Sequence, residues 1–142
     1  RCSEMASENE WVYDLDTTIF SIVKSKALPK LIKRFPDVYF TSSGKSKSPP
    51  EFPTIYIHSL QGIEKGMDLE RTRINAIQET VQVDISTNTN QSDAKYVMKI
   101  TTDIFKQMMF YVVAMPELAS DGETYKCTAR FRRVISLNDT LF

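Results

Sequence analysis

The single histidine, His58, limits the acid–base and metal chemistry that this sequence can support. A Ser-His-Asp or Cys-His arrangement would have to use it, and Cys127 is the thiol that could in principle approach it. A zinc site would lack the usual second histidine or cysteine cluster. A strand histidine that hydrogen-bonds a neighbouring side chain accounts for His58 without any catalysis, and we predict that role.

Three carboxylates, Glu79, Asp84 and Asp103, fall inside predicted regular elements. Paired carboxylates do acid–base work only when the fold brings them together. Asp84 is expected on the polar face of a strand and Asp103 away from the apolar stripe of a helix, so a solvated or interface role is favoured for both. The motifs GxxxxGK[ST], GxGxxG and HExxH do not occur, and we expect no cofactor and no metal.

A basic segment lies near the carboxyl end of the chain. A two-residue period places Lys126, Arg130 and Arg132 on one face of a strand and Arg133 on the other. Such a stripe can contact nucleic-acid phosphates, it can contact acidic side chains of a neighbouring protein, or it can keep an open sheet face hydrated. The sequence leaves these three interpretations open, with a protein interface favoured.

Composition is that of an ordinary globular protein. The 142 residues are 42% hydrophobic and 25% charged, with 18 basic and 18 acidic side chains. Zero net charge argues against a general nucleic-acid binder and removes self-repulsion between copies. No apolar run is long enough for a transmembrane helix, and no signal-peptide core occurs near the start. We expect a tail over residues 1–12, containing Cys2, and one domain over residues 13–142 with Cys127 in its core.

Hydrophobic periodicity changes from two to helical and back to two between residues 75 and 135. Residues 75–86 alternate as a half-buried strand, and residues 125–135 do the same. Between them, Ser92 and Asp93 are suitable helix-starting residues, and the pattern predicts a helix over residues 92–110. Its apolar stripe comprises Ala94, Val97, Met98, Thr101, Ile104, Phe105 and Met108.

The first half of the chain predicts a helix and two further strands. A helix is expected over residues 14–26, with Pro29 interrupting the pattern, followed by strands over residues 38–41 and 54–60. The strand at 54–60 should pair with that at 75–86 as a long antiparallel hairpin. The economical fold is α+β: a two-layer domain with two helices packed on one face of a mostly antiparallel sheet.

Two long polar segments, residues 42–52 and 61–72, are predicted as loops. We expect these loops, rather than the sheet or helices, to contact other proteins, because each lacks the apolar residues needed to fold onto its own core. Their candidate interface residues are Lys45, Lys47, Phe52, Ile63, Glu64, Lys65, Met67 and Glu70.

The order of elements and one short motif resemble a known family. A strand with the sequence QVDI at residues 82–85, a polar link and an alanine-containing helix from residues 92–97 are similar to the tail terminator, or tail completion, proteins of long-tailed bacteriophages. Nearly the whole chain shares the family's order of elements. The two long loops depart from it, so their roles do not transfer.

The resemblance implies a structural virion protein without catalysis. Such subunits form a homo-hexameric ring that caps the tail tube protein, stops its polymerisation and presents a surface to the head-completion or connector protein. DNA would pass through the lumen without specific binding, and the location would be the head–tail junction after assembly in the host cytoplasm. Two alternatives stay open: a small enzyme or ligand-binding domain with His58 and Asp84 near a pocket, and a head-completion adaptor of the same particle.

Overall fold

The computed structural model describes residues 10–43, 52–60, 63–67, 74–120, 124–136, 139 and 141. Its helices are α1, Glu10–Tyr13; α2, Leu15–Leu31; and α3, Gln91–Gln107. Its strands are β1, Tyr39–Thr41; β2, Thr54–Ser59; β3, Ile63–Met67; β4, Ile74–Thr87; β5, Tyr111–Ser120; and β6, Tyr125–Ser136. The helical turn of α1 begins inside the last residues of the predicted tail.

The six strands form one sheet in the order β1-β2-β4-β6-β5, with β3 also paired to β4. Only the β1–β2 pair is parallel, and the other described pairs are antiparallel. The helices α2 and α3 pack against the sheet and share one hydrophobic core with it. The predicted α+β architecture, with two principal helices and a mostly antiparallel sheet, is therefore confirmed.

The predicted register of the two central strands is also confirmed. Val83 of β4 lies opposite Ala129 of β6, and Val81 lies opposite Phe131. All four side chains are buried beneath α3, whereas Arg130 and its neighbours of the same parity point to the other face of the sheet. Because a one-residue slip would exchange the two faces, the apolar alternation fixes this register.

Helix α3 starts and stops by specific capping. The side chain of the N-cap residue Asn90, two residues before the predicted start at Ser92, accepts a hydrogen bond from the Asp93 amide at 2.8 Å. At the other end, Met109 adopts a left-handed φ of 68°. Its amide bonds the Lys106 carbonyl, and the Phe110 amide bonds the Phe105 carbonyl. This pair of bonds is a Schellman motif, so the helix ends at Gln107 rather than at the predicted residue 110.

Helix α2 is longer than predicted. The interruption expected at Pro29 is wrong, because the helix continues to Leu31. Pro29 lies in the last turn, and its nitrogen cannot donate a backbone hydrogen bond there. Ala27 and Leu31 are both fully buried, and their packing extends the helix beyond the predicted end at residue 26.

Part of the predicted loop 61–72 is a strand. Residues 63–67 form β3, which pairs antiparallel with the first part of β4, as β2 pairs with the rest. Ser59 lies opposite Val81 and Ile63 lies opposite Gln78. The predicted hairpin between 54–60 and 75–86 is present, and β3 lengthens it.

Strand β5 is absent from the sequence prediction, which places a loop between the long helix and the last strand. It pairs antiparallel with β6 along the edge of the sheet, with register irregularities between Val112 and Ala114 and between Ala114 and Glu117. Pro116 lies within it. These interruptions break the two-residue alternation that identifies a strand.

Aromatic stacking joins α3 to the sheet. The Phe105 and Phe131 rings are stacked with centroids 4.4 Å apart, and Phe110 meets Phe105 edge to face at 5.2 Å. Ile104, next to Phe105 on the same helix, is completely buried. Its predicted place in the apolar stripe is therefore confirmed.

We expect Ile104→Ala to lower the free energy of unfolding by roughly 2–5 kcal/mol, because the substitution removes buried methyl and methylene groups and leaves a cavity. Urea denaturation followed by circular dichroism measures this loss. Lys99→Ala is the matched control, since Lys99 is exposed on the same helix, and it should change the free energy by less than about 0.5 kcal/mol. Equal effects of the two substitutions would contradict the assigned core.

Candidate functional site

The face of the sheet opposite the helices carries a polar network centred on Asp84. Asp84 Oδ1 accepts a hydrogen bond from the Thr128 hydroxyl at 2.7 Å, and Asp84 Oδ2 lies 3.1 Å from His58 Nε2. The Gln82 amide also donates to both carboxylate oxygens. Tyr56 stacks on the imidazole with centroids 4.1 Å apart. These residues come from β2, β4 and β6, and the strand register brings them together.

The predicted basic stripe lies on this same face. Arg130 Nε donates to the Gln82 side-chain oxygen at 2.9 Å, and Arg132 Nε donates to the Thr80 hydroxyl at 3.2 Å. Lys126 is exposed on the same side of β6. Arg133 lies on the other face, as predicted, where it donates to the Met108 carbonyl at the end of α3.

The geometry around His58 favours the structural role predicted for it. The Thr128 hydroxyl donates to Asp84, and the Ser59 hydroxyl donates to Glu79, so each hydroxyl is directed at a carboxylate rather than at the imidazole. Cys127 is fully buried on the helix side of the sheet, away from the His58 face. Burial raises the pKa of the Cys127 thiol, which lowers its thiolate fraction. The described residues therefore do not align a nucleophile with His58.

An apolar groove lies between α3 and the β5 edge of the sheet. Its volume is about 350 Å³. Met98 of α3, Val112 and Leu118 of β5 and Cys127 of β6 are among its lining residues. Polar side chains of α3 also line it, namely Lys95, Lys99, Thr102 and Asp103.

A second cavity, of about 250 Å³, lies between α2 and β2. Asp16 and Phe20 of α2, together with His58 and Ser59 of β2, are among the residues that line it. Close to it, Glu79 is buried and accepts a 2.7 Å hydrogen bond from the Ser59 hydroxyl. Burial raises the pKa of Glu79, the bond from Ser59 opposes that shift, and the charge of Asp16 adds to it.

The structure divides the predicted interface residues into four groups. Phe52 is half-buried before β2, while Lys126, Arg130 and Arg132 share the open face of the sheet. Four others were assigned to a loop and instead belong to strand β3: Ile63, Glu64, Lys65 and Met67. Lys45, Lys47 and Glu70 lie outside the described residues.

Sequence reasoning missed the exposed apolar side chains in and just before β5. Met109, Tyr111, Val113 and Leu118 are exposed, with Met109 at 74%. They lie on both faces of the sheet, because Tyr111 is opposite Arg132 of the polar face and Leu118 is opposite Cys127 of the helix face. The signal in the sequence was the β-forming run at residues 111–113, which Pro116 concealed.

No protein-family model matches this chain, and no curated protein matches it at a significant level. Within the described ranges, no three histidine, cysteine, aspartate or glutamate side chains come together as a metal-binding group. None of the described helices has both the length and the apolar character needed to cross a bilayer.

We expect Glu79→Gln to stabilise the protein at pH 7. A raised pKa means that folding favours the protonated carboxyl, so the contribution of Glu79 to stability is complete below the unfolded pKa and is lost as the pH rises through the folded one. Glutamine removes this loss and still accepts the Ser59 bond. The stability difference between variant and parent should therefore grow from about pH 4 to pH 7.

Chemical denaturation across this pH range measures the difference. Asp103→Asn is the control, since Asp103 is exposed on α3. A Glu79→Gln protein that is less stable than the parent at pH 7 would show that the charged hydrogen bond outweighs the cost of burial.

Proposed function

We propose that this chain is the ring-forming tail terminator of a long-tailed bacteriophage. In this role six copies form a ring that caps the tail tube, stops its polymerisation and joins the tail to the head connector. The protein acts by assembly rather than by catalysis, at the head–tail junction of the virion. DNA passes through the ring without specific contacts.

The observation that carries the proposal is a sheet with one open face and with different surfaces at its two edges, one near β2 and the other at β5. Both principal helices lie on one side, and the uncovered side is a continuous polar surface built on β2, β4 and β6. Such a surface can line a hydrated lumen or contact a polar partner. In a closed head-to-tail ring each subunit contacts its two neighbours through two different surfaces, and the two edges of this sheet can supply them. The resemblance in element order and in the QVDI segment adds the specific family.

A ligand-binding domain is the second candidate from another class. The apolar α3–β5 groove supports it, because about 350 Å³ is within the volume range of small-molecule pockets. A head-completion adaptor of the same particle fits the same fold and differs in where the ring lies. These alternatives predict different neighbours, so the assembled particle distinguishes them.

A cryo-electron microscopy reconstruction of the tailed particle that contains this chain tests the proposal. We expect six copies in one ring between the tail tube and the head connector. Particles assembled without the chain should have tails of uncontrolled length that do not join heads, and the parent sequence supplied in trans should restore them. A ring on the head side of the junction would support the adaptor, and absence of six-fold neighbours would overturn the proposal.

We further expect the segment around Lys45 and Lys47 to contact another protein of the particle. Lys45→Ala/Lys47→Ala should lower the yield of finished particles about tenfold if these charges pair with a partner, which corresponds to about 1.4 kcal/mol. Lys24→Ala/Lys30→Ala changes the charge equally at exposed positions of α2 and serves as the control. Equal yields from both variants would leave residues 42–52 without an assembly role.

A further inference from the structure

We propose that the Arg133 side chain alternates between two partners according to the protonation of Glu79. While the Glu79 carboxyl is neutral, Arg133 bonds the carboxyl end of α3. When Glu79 ionises, the guanidinium turns to the carboxylate and releases the turn between α3 and β5. This device regulates the start of β5 by pH, and it goes beyond the proposed function without depending on it.

The strand register places Glu79 and Arg133 directly opposite each other. They are Cα partners of β4 and β6. Val81 and Phe131, the next residues of the same parity, are buried beneath α3, so Glu79 and Arg133 belong to the helix face of the sheet. Directly opposite residues have Cβ atoms about 4.5–5.5 Å apart, a spacing at which opposite charges stabilise a sheet. This register alone predicts a salt bridge between the two residues.

Glu79 and Arg133 are both described by the structure, and they do not pair with each other. Arg133 Nη1 donates a hydrogen bond to the Met108 carbonyl at 2.8 Å, and its Nη2 lies 3.4 Å from a carboxylate oxygen of Asp139. Met108 is the C-cap residue of α3. A cation at this position satisfies a terminal carbonyl and interacts favourably with the negative end of the helix dipole. The arginine therefore holds the end of the helix rather than the carboxyl opposite it.

The surroundings of Glu79 favour its neutral form. The residue is 5% exposed and accepts a hydrogen bond of 2.7 Å from the Ser59 hydroxyl. Burial raises the pKa of the carboxyl, the Ser59 bond opposes that shift, and the negative charge of Asp16 on α2 adds to it. On β3, the residue opposite Ile77 is another acid, Glu64. Neutralisation of an ionised Glu79 therefore falls to the residue opposite it on β6.

Ionisation of Glu79 reverses the preference of the guanidinium. A buried carboxylate without a counter-ion is costly, and a bond between guanidinium and carboxylate is stronger than a bond to a neutral carbonyl such as that of Met108. Asp139 competes weakly, because its side chain is 35% exposed and solvent screens the pair. Since Glu79 lies directly across the strand pair, Arg133 exchanges partners by rotation about its own side-chain bonds.

Release of Arg133 affects a turn that depends on its surroundings. Met109 adopts a left-handed φ of 68°, and its amide and that of Phe110 bond the carbonyls of Lys106 and Phe105. A non-glycine residue in this conformation persists where neighbouring contacts hold it. Arg133 bonds the carbonyl directly before Met109, so its departure loosens the two hydrogen bonds of the turn and, with them, the start of β5.

Amide hydrogen exchange in the full chain, measured by NMR from about pH 4 to about pH 8, tests this coupling. Glu79→Gln is the reference variant, because glutamine accepts the Ser59 bond and cannot ionise. At the acidic end, the Met109 and Phe110 amides should exchange equally in both proteins. At the basic end they should exchange about tenfold faster in the parent, after division by the rate of the Ile104 amide, which reports the opening of α3 as a whole.

Two substitutions beside Glu79 assign the titration, and the carboxyl carbon signal of Glu79 gives its midpoint directly. Asp16→Asn removes a negative charge that raises the pKa of Glu79, so it should move the midpoint of the exchange change to lower pH. Ser59→Ala removes the bond that lowers this pKa, so it should move the midpoint to higher pH. A midpoint that neither substitution moves would contradict the role of Glu79.

Two further variants separate the partners of Arg133. Arg133→Gln should abolish the pH dependence, because the amide still donates to the Met108 carbonyl but carries no charge. Asp139→Asn should retain it, because this variant removes the other acidic partner of Arg133 and leaves Glu79 intact. Circular dichroism of each variant confirms that it is folded.

The outcomes distinguish this device from its alternatives. A Glu79 signal that titrates without a change in exchange at Met109 and Phe110 overturns it. A change that Glu79→Gln leaves in place also overturns it, and so does one that Asp139→Asn abolishes, because the titrating group would then be Asp139. None of these results bears on the six-fold ring, which the particle reconstruction decides separately.

Discussion

The packing of Phe105 on Phe131 fixes the relation of α3 to the sheet, and the other surfaces depend on that relation. The two rings lie parallel at 4.4 Å in the middle of the core. Because the interior is close-packed, this contact allows little rotation or sliding of the helix. The Schellman motif then places Phe110 against the same ring and directs the chain into β5. The groove beside β5 is a consequence of where α3 is held.

Helix α2 is joined to helix α3 by a contact of the exposed Arg34 side chain. The Arg34 guanidinium, just after α2, lies 4.3 Å from the centroid of the Tyr96 ring of α3 and pairs with Asp93 at 3.0 Å. One arginine therefore links the end of one helix to the first turns of the next. Together with the buried stripe of α2 this keeps both helices on one face, which leaves the other face of the sheet to polar side chains.

The polar face of the sheet organises charged groups through hydrogen bonds that join three strands. Asp84 is surrounded by hydrogen-bond donors from β4 and β6 and by the His58 imidazole from β2. Arg130 and Arg132 each donate a hydrogen bond to a neutral side chain of β4, which restrains their orientation. Fixed side chains lose less conformational entropy on association.

The sequence by itself determined the fold class, the inward faces of β4 and β6 and the stripe of α3, because each depends on local periodicity or on residue type. Only the tertiary structure decided the rest. Burial of Ala27 and Leu31 extended α2 through Pro29, and pairing with β4 converted residues 63–67 from an apparent loop into a strand. Strand β5 and its groove depend on a neighbouring strand and helix distant in sequence. Long-range pairing and burial leave no periodic signal, so the exposure of Tyr111, Val113 and Leu118 was evident only from the assembled sheet.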